Sequence, residues 1–134
     1  MQIEEALARH LAADGRVAGL VGTRIYPGTI PQDQTLEAIA YQRVPDEGPI
    51  MTHLGPLGVE KARLQVTCQA QKYSEAKTLT QAVKTCLQGF HGPMAGGVNI
   101  YYCRVTADLD GGLGQEIQMT TVRVEVEVLA SVVN

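Results

Sequence analysis

No run of apolar residues in this chain comes near the roughly 20 that a membrane-spanning helix needs, so no membrane role is expected. Clustered cations are missing too. The 11 Lys+Arg and 14 Asp+Glu are scattered and leave a net charge of −3. Tight general binding to DNA or RNA needs a basic stripe that displaces counterions, so the scattered charges argue against that class. A surface past which nucleic acid merely slides is not. Cysteine is sparse: Cys68, Cys86 and Cys103 are odd in number, far apart and without CxxC spacing. They form neither a disulfide framework nor a zinc site. Cys68 and Cys86 fall on faces expected to be buried, which reads as inert core thiols. The first residues, MQIEEALARHLAADG, carry two early acids and no apolar h-region, unlike a signal peptide. The expectation is a protein made and used in a cytoplasm, or released from it by lysis.

Patterns that carry chemistry are equally scarce. His10, His53 and His91 show neither HxxxH nor HxH spacing and read as exposed or locally bonded. DLDGG at Asp108 suggests a calcium loop, but Gly112, Leu113 and Met119 stand where an EF-hand needs an oxygen ligand, a glycine and a bidentate glutamate. GGLG at Gly111 and GPLG at Gly55 are not followed by Lys-Ser or Lys-Thr, so neither is a phosphate loop. No GxSxG elbow occurs. Glu125 and Glu127 share a strand face in line with Arg123, which reads as a solvated face rather than a catalytic carboxylate pair. No catalytic, cofactor-binding or metal-ligating residue is assigned. The chain is expected to be no enzyme and to need no cofactor.

What is present is a strand running straight into a helix across residues 61–90. Ala62, Leu64, Val66, Cys68 and Ala70 alternate with Arg63, Gln65, Thr67 and Gln69, the period of a strand with one wet face. After Tyr73 the period changes. Ala76, Leu79, Val83, Cys86, Leu87 and Phe90 line one helical stripe, opposite Glu75, Lys77, Gln81, Lys84 and Gln88. Ser74 is the expected N-cap and Gly89 the expected stop. The short turn between them predicts that strand and helix cover each other.

The remaining elements follow from the same two periods. Residues 2–13 read as a helix with Ile3, Ala6, Leu7 and Leu11 on one face; Gly15 breaks it, and Val17, Leu20 and Val21 form one further short turn. Residues 24–26 and 38–44 read as strands, the second ended by Pro45. Residues 98–107 read as a strand with Val98, Ile100 and Tyr102 on one face and Tyr101, Cys103 and Val105 on the other, which suggests an inner place in the sheet. Residues 119–132 give the cleanest strand signal, with Val122, Val124, Val126 and Val128 in alternation. Residues 46–59 and 108–118 read as long loops. The first holds three glycines and two prolines, yet also the apolar Ile50, Met51, Leu54 and Leu57. It is either a loop or ragged hairpin folded onto its own domain, or a protrusion that orders against a neighbouring subunit. The whole is expected to be a single α+β domain over 1–134. Its order is α-β-β-β-α-β-β, with an antiparallel or mixed sheet of about five strands and two main helices on one face.

Set in order, these segments resemble the tail-completion proteins of long-tailed bacteriophages, also called tail-to-head joining or tail-terminator proteins. Val17, Leu20, Val21, Gly22, Arg24, Ile25, Tyr26 and Pro27 match that family's V-x-x-L-V-G-x-R-I-Y-P segment. AIAYQR within 36–43 matches its Pro-x-x-x-Y strand. Arg63, Gln65, Val66, Ala70, Tyr73, Glu75, Ala76 and Leu79 match the following block, and Val83, Leu87, Gly89 and Phe90 its helix end. The likeness is strongest over 3–44 and 61–90, and the two long loops carry no match. The resemblance implies a subunit of a virion tail or neck, assembled in the bacterial host cytoplasm from a phage or prophage. Such subunits form a ring, six-membered in this family, that caps the tail tube and docks to the head connector while DNA passes through without specific binding. Its partners would be itself, the tail tube protein and the head connector. Ile50, Met51, Leu54 and Leu57 are the expected subunit interface. Competing readings are another neck, head-closure or tail-tube protein, a small cytosolic enzyme or ligand-binding domain, and a module that binds a protein through its sheet edge.

Overall fold

The computed structural model describes residues 3–31, 33–34, 36–52, 55–94, 97–113 and 120–132, with side chains described outside 45–60, 108–113 and 132. The chain order is α1 (Ile3–Ala13), α2 (Gly15–Val21), β1 (Ile25–Pro27), β2 (Ala38–Thr52), β3 (Gly55–Ala70), α3 (Tyr73–Leu87), β4 (Gly92–Pro93), β5 (Val98–Leu113) and β6 (Thr120–Val132). The strands form one mixed sheet in the order β1-β2-β3-β6-β5-β4. Only β1 and β2 pair in parallel; every other neighbour is antiparallel.

The alternation in β3 and β6 does what it implies. Ala62, Leu64, Val66, Cys68, Val122, Val124, Val126 and Val128 are all fully buried. Their ladder runs from Val59↔Ser131 to Ala70↔Thr120 without a register shift. The helices cover this one face. Leu79, Val83 and Leu87 of α3 join Ile3, Leu7 and Leu11 of α1 and Val17 and Val21 of α2 in a single core cluster. Each large aliphatic side chain buried there contributes roughly 1.5–3 kcal/mol.

Helix boundaries differ from the sequence reading at two points. Gly15 opens α2 rather than ending a helix, because Asp14 caps it: its carboxylate accepts from the N–H groups of Arg16 (2.9 Å) and Val17 (3.1 Å). Ser74 is not the cap of α3. Lys72 holds that position without a side-chain bond, and the Ser74 carbonyl accepts from Thr78 Oγ1. Gly22 (φ 58°) and Gly89 (φ 76°) do sit where positive φ is required, just beyond α2 and α3. Arg24 then ties α2 to the sheet, its guanidinium donating to the carbonyls of Glu37 (2.7 Å) and Leu20 (3.2 Å).

Three strand expectations also change. The sheet has six strands, because Gly92–Pro93 adds a two-residue edge strand where a turn was expected. The strand of 98–107 is not interior over its length: β4 pairs only with Asn99 and Ile100. Its apolar residues on both faces arise from a bulge at Tyr101, between Ile100↔Ala130 and Tyr102↔Leu129. The extra residue reverses the alternation, so Ile100 and Cys103 both face the core while Tyr102 turns to the opposite face. Finally, the two long loops are largely strand. β2 runs through Pro45 and Pro49 to Thr52, β3 starts at Gly55, and β5 continues to Leu113.

Leu79 has no exposed surface. Leu79→Ala should cost about 2–5 kcal/mol, and Leu79→Asp should leave the chain insoluble or unfolded. Thermal unfolding of the soluble fraction checks both; an unchanged melting temperature for the aspartate variant would contradict the packing.

Candidate functional site

Two surfaces are left once the helices have covered one side of the sheet: the opposite, polar face, and the projecting end of β2 and β3. The polar face is built by the second set of alternating residues. Gln42, Gln65, Thr67, Gln69 and Arg123 line a shallow hollow of about 300 Å³ there, beside Gly28 and Thr29. Amides, hydroxyls and one guanidinium can exchange hydrogen bonds with a partner, but among the described residues this lining supplies no general base to activate a hydroxyl. Gln69 is held by a bond from its side-chain amide to the carbonyl of Gln34, 3.0 Å away.

Further along the same face, Glu127 is only 6% exposed. This corrects the expectation of a solvated carboxylate. Its Oε1 accepts from the Tyr102 hydroxyl at 2.7 Å and from Arg104 at 2.9 Å, and its Oε2 lies 3.7 Å from Lys61 Nζ. The Tyr102 hydrogen bond, then the charges of Lys61 and Arg104, hold its pKa below the usual carboxylate range against the opposing effect of burial. Arg63 faces Glu127 in the ladder, and its Nε is buried with no hydrogen-bond partner among the described residues. The cluster pins β3, β6 and β5 together from the wet side. Glu125, two residues away, remains half-buried, so the two glutamates do not share one environment.

On the helical side, burial pushes the Cys86 and Cys103 thiols up to about 12, with the Asp14 carboxylate adding to the rise at Cys86. Both stay protonated at neutral pH, the state in which a thiol is neither nucleophile nor ligand. Cys86 is half-buried rather than fully buried as expected. His10 packs against Phe90 with ring centroids 4.2 Å apart, and His91 is exposed. No group of three or more His, Cys, Asp or Glu able to hold a metal occurs among the described residues. Among them, too, no helix is long and apolar enough to cross a membrane.

The second surface is the arm. The ladder between β2 and β3 continues outward through Gly48↔Lys61 and Pro49↔Glu60 to Thr52↔Gly55, whereas among the described residues β6 follows β3 as far as Val59. Beyond that point β2 and β3 form a two-stranded ribbon. On its other side, β1 reaches only Tyr41. Prolines are tolerated here because each strand has one edge with no sheet neighbour among the described residues, and a proline there removes no ladder bond. Two register shifts, between Val44 and Gly48 and between Pro49 and Met51, absorb the irregular sequence. Of the expected interface residues, Ile50 and Met51 lie on β2 and Leu57 on β3, with their side chains outside the described set; Leu54 lies outside the described residues. The sequence reading left this stretch as either a loop or ragged hairpin on its own domain or a protrusion; the structure pairs its two sides as β2 and β3.

A small α+β building block with a one-sided core, two short and dissimilar sheet edges and a projecting ribbon is what these observations define. The family model described as tail completion protein gp17 matches residues 5–131, and the chain belongs to that family. It is therefore a structural tail protein, a component of a phage-type particle. Among solved structures, a chain from the virion of a native gene transfer agent particle is similar in fold, with a TM-score of 0.72 at 16% identity, covering 96% of this chain and 94% of that one. No curated protein matches significantly.

Because the pKa of Glu127 is lowered in the folded state, its stabilising effect is complete above the unfolded carboxylate pKa and is lost as pH falls through the folded one. Asp14 has the same sign, chiefly from the Val17 N–H. Glu127→Gln should therefore destabilise by about 1 kcal/mol at neutral pH and flatten the acid limb of stability against pH. Urea unfolding from pH 7 down to pH 3 checks this; parallel wild-type and variant curves would refute it.

Proposed function

We propose that this chain is a tail terminator: copies close into a ring, six-membered by the family resemblance, that caps the finished tail tube, stops its growth and offers the docking surface for the head connector. The observation that carries the reading is the family match over residues 5–131. Two structural features support it. The sheet ends in different strands, β1 on one side and β4 on the other, and a surface that pairs unlike patches head to tail is what ring closure requires. The arm adds apolar reach to a body whose own core is already complete. Ile50, Met51, Leu54 and Leu57 are the residues proposed to bury against a neighbour, within an interface of about 800 Å² per partner or more. The tail tube protein and the head connector are the proposed partners on the two ring faces. A net charge of −3 would let DNA pass through the ring without sticking, and assembly would take place in the host cytoplasm.

Native mass spectrometry and negative-stain imaging, on the protein alone and on purified tail tubes, test the reading. Six-fold rings are expected in at least the second sample. Combining Met51→Asp with Leu54→Asp should abolish ring formation and infectivity while leaving the melting temperature of the monomer within a few degrees. Unchanged crosslinking and infectivity would exclude the arm as interface; only monomers on capped tubes would exclude the ring.

A further inference from the structure

Four cations that stand far apart in the chain meet on the wet face of the sheet. Lys61 and Arg63 come from β3, Arg104 from β5 and Arg123 from β6. Two carboxylates of β6 lie among them, Glu125 and Glu127. The strands thus give this face a positive balance in a chain of net charge −3. Counting Asp33, in the loop between Ile30 and Gln34, reduces that balance without reversing it. Asp108 and Asp110 do not belong to the row: they stand at the register of Val124 and Val122, which are buried on the covered side.

The four cations are not equivalent. Lys61 and Arg104 share Glu127, at 3.7 and 2.9 Å. Arg63 stands opposite Glu127 in the ladder, yet its Nε is buried with no hydrogen-bond partner among the described residues. A buried donor left without an acceptor is a net cost to the chain that carries it, so the fold alone does not account for this guanidinium. Arg123 is exposed and borders the hollow that Gln65, Thr67 and Gln69 line. Its register partner is Thr67, four residues along β3 from Arg63, roughly 13 Å.

The same face lacks what a protein partner would grip. Tyr26 and Tyr102 flank it, one on each side, with their hydroxyls engaged by Gln34 and Glu127. Between them the wet row over 38–42, 63–69 and 121–125 holds amides, hydroxyls, small alanines and charges, and no large apolar side chain. The core of a protein–protein interface is built from aromatic and aliphatic anchors. A surface of hydrogen-bonding groups with a cationic bias suits a polyanion instead.

We propose that the wet face is the wall of the ring's bore, and that Arg63 and Arg123 touch the phosphate backbone of double-stranded DNA passing along it. This rests on the ring reading and adds which surface of the subunit turns inward. The helices, which cover the opposite face, then form the outer wall. Gln42, Gln65 and Thr67 can trade hydrogen bonds between phosphate and water. Glu125 and Glu127, set between the cations, keep the attraction weak, so the duplex slides rather than lodges. Contacts to phosphate carry no sequence information, as a passage for a whole genome requires.

Two measurements on the full chain decide it. Fluorescence anisotropy of a labelled duplex of random sequence should show affinity falling roughly tenfold between about 50 and 200 mM salt, the slope of about two phosphate contacts. Arg123→Gln should reduce that fall to roughly threefold, and adding Arg63→Gln should abolish it with the melting temperature unchanged. On tail tubes, Gln65→Cys carrying an azidophenacyl photocrosslinker should mark DNA when particles are irradiated during DNA release, and Gln81→Cys on the outer side of α3 should not. Rings that form while position 65 marks only protein, or a salt slope that both arginine variants leave unchanged, would overturn the wall assignment and leave the ring reading standing. Absence of rings from every preparation, wild type included, would overturn the ring reading and the bore wall with it.

Discussion

Burial of one face of the β3–β6 pair is the constraint from which the other features follow. Alternating valines and leucines make that face uniformly aliphatic, and α1, α2 and α3 are all spent on covering it. The pair itself is straight in register. The flanking strands are not: β2 shows two register shifts against β3, and β5 shows three against β6. Each added residue bends and twists its strand. A stiff centre with coiled flanks concentrates irregular backbone at the margins, where it can project without disturbing the core.

The wet side of the sheet is stabilised differently. No second helical layer covers it among the described residues, so its order comes from polar contacts across strands. Glu127 gathers Tyr102 and Arg104 from β5 and Lys61 from β3. Arg104 keeps 60% of its side chain exposed, so this is a partly screened network whose net worth is modest. It serves alignment more than stability: with three strands tied at one point, slippage by a residue would separate an anion from all of its donors.

The parts legible in the sequence are those set by a period. α3, β3 and β6 follow from alternation and helical spacing alone, and α1 from Ile3, Leu7 and Leu11. What escaped depends on contacts between distant residues. The bulge at Tyr101 has no local signature, and it turns two apolar faces into a false sign of an interior strand. The burial of Glu127 is set by partners on two other strands, so its neighbours in sequence, Arg123 and Glu125, suggest only a solvated row. Pro45, Pro49 and Pro56 break a strand in general, yet not where one edge is already free. Asp14 could have been found as a cap from its place before an apolar helical run, had Gly15 not been read as a breaker. The candidate interface was visible only as apolar residues in an apparently unstructured stretch.

These two kinds of legibility separate the fold from its use. Alternation, caps and turns can be met by many sequences, which is how a chain only 16% identical to a virion subunit keeps the same architecture over nearly all of its length. A particle subunit needs that frame to be stiff. It also needs its recognition to differ from one partner to the next, and the pattern that fixes a buried face cannot encode such differences. On the proposed reading they reside where the core makes no demand, in the ribbon with its prolines and shifted register. If the proposed ring interface holds, this protein carries its specificity in the stretch that looks least regular, residues 46–59, because a segment with no periodic signal is one that its own core does not constrain.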